Sequence, residues 1–475
     1  MDFDILLRNC TVISMDKDRR ILREATIGIK GDTIAYVGKD RDEFQGLKVI
    51  DGKGKVVLPG FIDSHAHAGH GLLKTLGEGI IEDGLLDLYE YIYYQCTTPE
   101  FWFAEAQLSG IEKIRFGVTT GVSYLGSDPR YDDLVYAQAH VEGMKEVGIR
   151  DILGIGTPYP PFPKTFRDWD GFKIRDQKIK SFEDSFTATY NAVKKFNNTN
   201  DGLTFCYPTP SAIGNLKELT IDQLKAQSKA MRDVAEEFGT PIHSHSFGGD
   251  IKFAYEHLDI LGPKVFTAHV TGISEEEIKI IADTGTNVCS GPYTTAYIHA
   301  RCPVVELLEA GANVTFCTDA SAPNRTYDLL EKIRIGMLLH RSYFHNPSLI
   351  TAGKALEMVT IDAAKAIGLD TIIGSIEVGK KADVICVNMQ KPHLYPVWQE
   401  PVRMVYQASG HDVDTVIVSG KVLMEDNQIA YIDESKVLEN AQKEAMTMLK
   451  RAEAEKYIQM PKHFWGAVAY KEYLK

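Results

Sequence analysis

The chain has 475 residues, 44% of them hydrophobic and 25% charged, an ordinary globular balance that can fill a large core and more than one domain. Lysine and arginine number 52 against 65 acidic residues, a formal net charge of −13, and no basic block breaks it, which argues against a nucleic-acid or anionic-membrane partner. No apolar run approaches the roughly 18 residues of a bilayer span, and the first residues lack a signal-peptide pattern; with seven cysteines scattered and no CxxC pair, reduced thiols in a cytoplasmic protein are expected.

Short strand patterns come first, over 4–9, 10–14, 25–29 and 33–37. Turn residues such as Lys30-Gly31-Asp32 separate them, as in a small antiparallel sheet. Strand patterns return over 382–387, 413–418 and 421–424, with Gly374 and Gly379 as breaks. The economical reading pairs both ends into one discontinuous β-sandwich domain, 1–59 with 367–433. Between them, about 60–366, short apolar runs alternate with amphipathic stretches such as 220–238 and 274–283. Counting the strand before His65, there are eight alternations, the pattern of an α/β (β/α)₈ TIM barrel. A charged helix over 435–457 opens a C-terminal helical extension, 434–475.

The most telling stretch is Val57-Leu-Pro-Gly-Phe-Ile-Asp-Ser-His65-Ala-His67. In an extended chain residues i and i+2 share a face, so both imidazoles leave the strand end on one side, half of a site for a divalent transition metal. Other polar residues fall at other strand ends: His243 and His245 on a middle strand, His269 on the next, Asp319 on the last. Barrel enzymes gather catalytic groups at the carboxyl ends of several strands, and buried histidine and aspartate are costly unless paired or metal-bound. His243 and His245 point the same way; His245 lies nearer the carboxyl end, where a metal would sit, with His243 as the alternative.

These residues resemble the amidohydrolase superfamily, in particular its mononuclear branch of triazine hydrolases, heterocycle deaminases and phenylurea or thiocarbamate hydrolases. The landmarks run along nearly the whole chain: Pro59-Gly60 into the HxH, Gly117-Val-Thr-Thr120, Thr318-Asp319 with Asn324, and Gly374-Ser-Ile-Glu-Val-Gly-Lys-Lys-Ala-Asp383. The resemblance implies that His65, His67, His245 (or His243) and Asp319 hold the metal and that His269 sits beside the attacking water. Asp319 would accept the water's proton. No lysine lies on the strand over 203–207, where binuclear relatives carry a bridging one, so one ion is expected. Zinc is the default; iron, cobalt or manganese suit the same ligands. Similar proteins are commonly dimers or larger, which implies a homo-oligomer acting on a small molecule.

Two departures bear on the reaction. Deaminases of this branch place a glutamate three residues after the strand-5 histidine; here that position is Gly248, with Asp250 nearby in the turn. After strand 7 the usual His-Cys-Pro-x-Ser-Asn becomes Ser290-Gly-Pro-Tyr293-Thr-Thr. Both losses strike groups that protonate and orient an aromatic heterocycle. The expectation is therefore hydrolysis of a non-peptide C–N bond in an amide, urea or carbamate, where the metal binds the carbonyl oxygen. The alternative is deamination or dechlorination of a triazine, purine or pterin. A non-enzymatic scaffold would show eroded ligands, and these are intact. His70, Tyr293 and His299 are weaker substrate-facing candidates. The Pro- and aromatic-rich segment 157–166 is read as an apolar lid or a rigid packed loop. Trp102, His140, His257, His340 and His411 are read as structural.

Overall fold

The computed structural model describes residues 2–77, 82–125, 130–297 and 300–460. Eight strands form the (β/α)₈ barrel: Phe61–Asp63 continued by His67–Ala68, then Val118–Leu125, Arg150–Ile155, Thr204–Pro208, Ile242–Phe247, Val265–Thr271, Asn287–Ser290 and Val314–Phe316. Strands one to four pair in parallel, as do five to eight. A parallel bridge between Ala66 and Asp319 joins the first strand to the eighth. Hydrogen bonds from Ile213 N to His245 O (3.3 Å) and from Ser244 Oγ to Pro210 O (3.0 Å) link the end of the fourth to the fifth.

Helices follow the strands in turn, and their ends obey local chemistry. Thr220 caps Ile221–Phe238 through a capping box with Gln223, and Ser274 caps Glu275–Thr284 through one with Glu277. Both helices start one residue after the predicted first position, because the capping residue is itself non-helical. Inside the barrel Ile62, Val122, Ile152, Tyr207, Phe266, Cys289 and Cys317 share a core with Ala363, Ile367 and Leu369. The Tyr207 hydroxyl donates to Ile367 O at 3.0 Å. All seven cysteines are free and buried.

The chain ends meet in one eight-stranded sheet. Strand Lys55–Pro59 pairs antiparallel with Val384–Asn388, which pairs with Val413–Val418. The sheet is mixed, not purely antiparallel: the first strand runs parallel to Gln45–Asp51 and to Lys55–Pro59. The two strands expected over 4–9 and 10–14 are one, Asp2–Ile13, kinked at Asn9 where φ is 58°. Pro59 ends the sheet strand and Gly60 begins the barrel; a Cβ at Gly60 would lie 2.0 Å from Thr119 Oγ1, so only glycine lets the two layers approach.

The C-terminal helix Glu434–Arg451 lies on Pro99–Arg115, tied by the Arg115–Glu434 ion pair. The segment after strand three leads into a hairpin, Lys164–Asp170 and Lys173–Lys180. It is packed: the Phe166 ring is buried 4.6 Å from Tyr94 and 5.1 Å from Tyr131. No helix among the described residues is long and apolar enough to cross a membrane.

Candidate metal centre

Strand pairing brings the polar residues together. The amide of Asp319 donates to His65 O at 2.9 Å, and that of Tyr124 to Ala66 O at 2.8 Å, so the HxH stretch is held between strands two and eight. His245 sits opposite Ala268 and Ser246 opposite His269. Beyond them the register shifts, where His269 and Val270 take φ values of 73° and 50°. Asp319 likewise has φ 62°. Left-handed backbone at non-glycine residues costs of order 1–3 kcal/mol and concentrates at functional sites; here it re-aims an imidazole and a carboxylate.

The resulting cluster is buried. His65, His67 and His245 offer nitrogens within 4.8 Å of one another, and so do ligand atoms of His65, His269 and Asp319. His65 Nε2 and His67 Nε2 each lie 3.2 Å from Asp319 Oδ1. That matches the edge, about 3.3 Å, of a tetrahedron with bonds of about 2.0–2.1 Å to zinc.

Proton placement decides which atoms are free to bind. His243 Nδ1 faces Phe266 O at 3.0 Å, and a carbonyl only accepts, so Nδ1 carries the proton. Burial pulls the His243 pKa down to about 3, leaving it neutral with a lone pair on Nε2. That lone pair accepts from His65 Nδ1 at 2.8 Å. Burial also holds His65 well below the usual imidazole range, against the pull of Asp319. Its Nε2 is therefore a bare lone pair, buried and with no hydrogen-bond donor among the described residues, the state a metal ligand requires. His245 Nδ1 donates to Ser211 O at 2.7 Å, which directs its Nε2 into the cluster. Both ring nitrogens of His243 are spent; the nitrogens that lie within 4.8 Å of one another belong to His65, His67 and His245. Replacing His243 with Leu should loosen His65 and lower zinc affinity about 10–100-fold, measured by competition with a chromogenic chelator; unchanged affinity would remove His243 from this role.

Burial raises the Asp319 pKa, but His269, the facing nitrogens of His65 and His67, and Arg325 outweigh it and hold the carboxyl well below its usual value. Its outer oxygen, Oδ2, accepts from Thr294 Oγ1 and lies 3.4 Å from Arg325 Nη1. Asp63 locks the neighbouring residue by accepting from both the amide and hydroxyl of Thr318. Sequence reading missed Thr294, Arg325 and Asp63, although Asp63 lies inside the quoted motif and Arg325 follows Asn324.

Of the weaker candidates, His70 is buried with its ring 5.3 Å from that of His67. Tyr293 is not brought to the cluster; its ring lies 4.9 Å from Lys332 Nζ, and its neighbour Thr294 reaches inward instead. His299 lies outside the described residues. His140 is held by Asp151 at 3.1 Å.

At Gly248 no acid could be seated: a Cβ there would meet Gly272 O at 2.5 Å. Asp250 is engaged locally, accepting from Phe247 N at 2.8 Å, and burial, with Glu277 nearby, pushes its pKa up to about 6 from 3.8. A carboxyl raised on folding contributes stability that is complete below about pH 4 and is lost as pH rises through about 6. Asp250→Asn, which mimics the protonated form, should melt higher than the parent at mildly alkaline pH and alike near pH 4; equal melting at both would contradict the shift.

With this geometry in place, the comparisons with known proteins are consistent. The amidohydrolase family profile matches residues 56–423. A 5'-deoxyadenosine deaminase of Methanosarcina acetivorans is 31% identical over 467 residues, 95% of this chain and 100% of its own length. A 5-methylthioadenosine/S-adenosylhomocysteine deaminase of Thermoanaerobacter pseudethanolicus is 28% identical over 94% of this chain and 100% of its own. Among solved structures, an adenosine deaminase from Xanthomonas campestris with bound zinc superposes with TM-score 0.81 at 20% identity, over 94% of this chain and 99% of that one. An atrazine chlorohydrolase from Arthrobacter aurescens complexed with zinc gives 0.80 at 22%, over 93% and 100%. These relatives favour the deaminase alternative over the amide, urea or carbamate expectation.

Proposed function

This chain belongs to the amidohydrolase family and is a hydrolase of non-peptide carbon–nitrogen bonds, and on that premise we propose that it is a zinc-dependent deaminase of a small amino-substituted N-heterocycle of nucleoside type. The observation that carries the reading is the donor set at the barrel's carboxyl end: His65 and His67 Nε2 each 3.2 Å from one oxygen of Asp319, with a His245 nitrogen within 4.8 Å of those of His65 and His67. Those four residues would hold one divalent ion, which supplies a Lewis acid that makes water nucleophilic near neutral pH. Asp319 takes the proton from the water and later gives it to the departing nitrogen. His269, its ring 5.2 Å from that of His245, orients the water. His243 keeps His65 in the tautomer that presents Nε2.

A second reading, cleavage of an amide, urea or carbamate, is favoured by the space at Gly248, which admits no proton-donating side chain for a ring nitrogen. One experiment separates the two. Metal analysis of the purified protein is combined with a panel of 5'-deoxyadenosine, 5'-methylthioadenosine, S-adenosylhomocysteine, an aminotriazine, a phenylurea and a carbamate, scored for ammonia, amine and acid. We expect about one zinc per chain and ammonia release from an amino-heterocycle. Turnover confined to the urea or carbamate would overturn the deaminase reading, and absence of bound metal would overturn both.

A further inference from the structure

We propose that Thr294 is a positioning residue of the metal centre: its hydroxyl pins one oxygen of Asp319 and so commits the other to the histidines. The inference rests on the reading of Asp319 as metal ligand and proton carrier, but not on which heterocycle is the substrate.

The carboxylate needs such a partner. The torsion that turns it is broad and two-fold, and its two oxygens are chemically alike, so nothing within Asp319 decides which one meets the histidines. The left-handed backbone, φ 62°, aims the side chain only as a whole. The histidines do not hold it either. His65 Nε2 lies 3.2 Å from Oδ1 and carries a lone pair, and two facing lone pairs repel until a cation lies between them. Restraint has to come from the far side. There Thr294 Oγ1 donates to Oδ2, a charge-assisted bond of the strong kind. Arg325 Nη1 stands off at 3.4 Å and is shared with Ala320 O at 2.9 Å.

The fold delivers the hydroxyl to this place. Thr294 is buried in the short helix Pro292–Tyr297 that follows the seventh strand. A threonine hydroxyl in a helix commonly bonds the carbonyl four residues back. Here that carbonyl belongs to Ser290 and accepts from Cys317 N at 3.0 Å, and the hydroxyl turns to the carboxylate instead. Gly291 keeps the start of the helix close to Asp319: a Cβ there would lie 3.4 Å from Asp319 Cβ and 3.5 Å from Thr294 Oγ1. A carboxylate aimed before the ion and the substrate arrive needs no reorganisation when charge moves. Because Thr294 acts through Asp319, its loss is felt in metal affinity and in kcat, not in KM.

Two replacements in the full chain separate the hydroxyl from the methyl. Thr294→Val keeps the shape and removes the donor; Thr294→Ser keeps the donor and removes the methyl. Zinc affinity is read on metal-stripped protein by competition with a chromogenic chelator. Turnover is read at saturating zinc with 5'-deoxyadenosine, or with whichever panel compound the parent protein turns over, and circular dichroism checks the fold. Thr294→Val should bind zinc about 10–100-fold more weakly, the usual effect of losing the partner of a metal ligand. Its kcat should fall at least about tenfold, the worth of one hydrogen bond to a charged group, with KM close to the parent. Thr294→Ser should recover most of both losses, which a merely packed threonine would not show. The proposal fails if Thr294→Val keeps the parental zinc affinity or the parental kcat, if Thr294→Ser loses as much as Thr294→Val, or if the losses follow loss of folded protein. A parent protein that binds no zinc, or turns over no panel compound, would defeat the functional reading itself, and so is distinguishable from failure of Thr294.

Discussion

Asp319→Asn is expected to lower kcat by about 10²–10⁴-fold, the range for a group that moves a proton in the transition state, while leaving the fold intact. The amide keeps the shape of the carboxyl and can still accept from Thr294 through Oδ1, but it cannot take a proton from water. It also loses one negative charge from a set otherwise composed of imidazoles, so zinc should be held more weakly. Turnover should therefore be measured at saturating zinc, with circular dichroism to check the fold. Activity within a few-fold of the parent would remove Asp319 from the role of base.

The second large effect lies away from the site. Arg150, buried at the start of the third barrel strand, pairs with Asp383 through two nitrogens and also bonds Ser419 Oγ at 2.7 Å, Gly202 O at 3.2 Å and Thr120 Oγ1 at 3.2 Å. Asp383 closes the Lys-Lys-Ala-Asp motif that leads into the terminal sheet, and it also accepts from Ser419 N at 2.8 Å. Arg150→Met should destabilise the protein by about 3–5 kcal/mol, because it strands the Asp383 charge where water cannot reach it. Chemical denaturation of Arg150→Met and of Arg150→Met/Asp383→Leu measures this. The double variant should recover much of the loss, and a single variant as stable as the parent would contradict the account.

The barrel and the histidine cluster were legible in the sequence because both follow from strand periodicity. His65 and His67 share a face by alternation alone, and His269 and Asp319 stand at strand ends. Alternation alone leaves His243 and His245 open, since both point inward; the contacts that favour His245 are the carbonyls of Phe266, on the sixth strand, and Ser211, in the loop after the fourth. Arg325, Thr294 and Asp63 were overlooked for the same reason, as each acts on a residue that only folding brings near. Tyr293 illustrates the converse: in the short helix Pro292–Tyr297 adjacent side chains point in different directions, so Thr294 faces Asp319 while Tyr293 meets Lys332. The merged first strand and the parallel pairings of the sheet escaped prediction because a single left-handed residue, Asn9, bends a strand without ending it.

The pairing of Lys55–Pro59 with Val384–Asn388 joins residues more than 300 positions apart. During synthesis the amino-terminal strands can pair with one another, but the outer edge of Lys55–Pro59 must wait unpaired until the whole barrel has left the ribosome, and contacts of such high sequence separation form slowly. Exposed edges of this kind invite association between nascent chains. Yield in a heterologous host should accordingly depend on translation speed and on chaperones that shield the amino-terminal β-strands, more than on the thermodynamic stability of the finished enzyme.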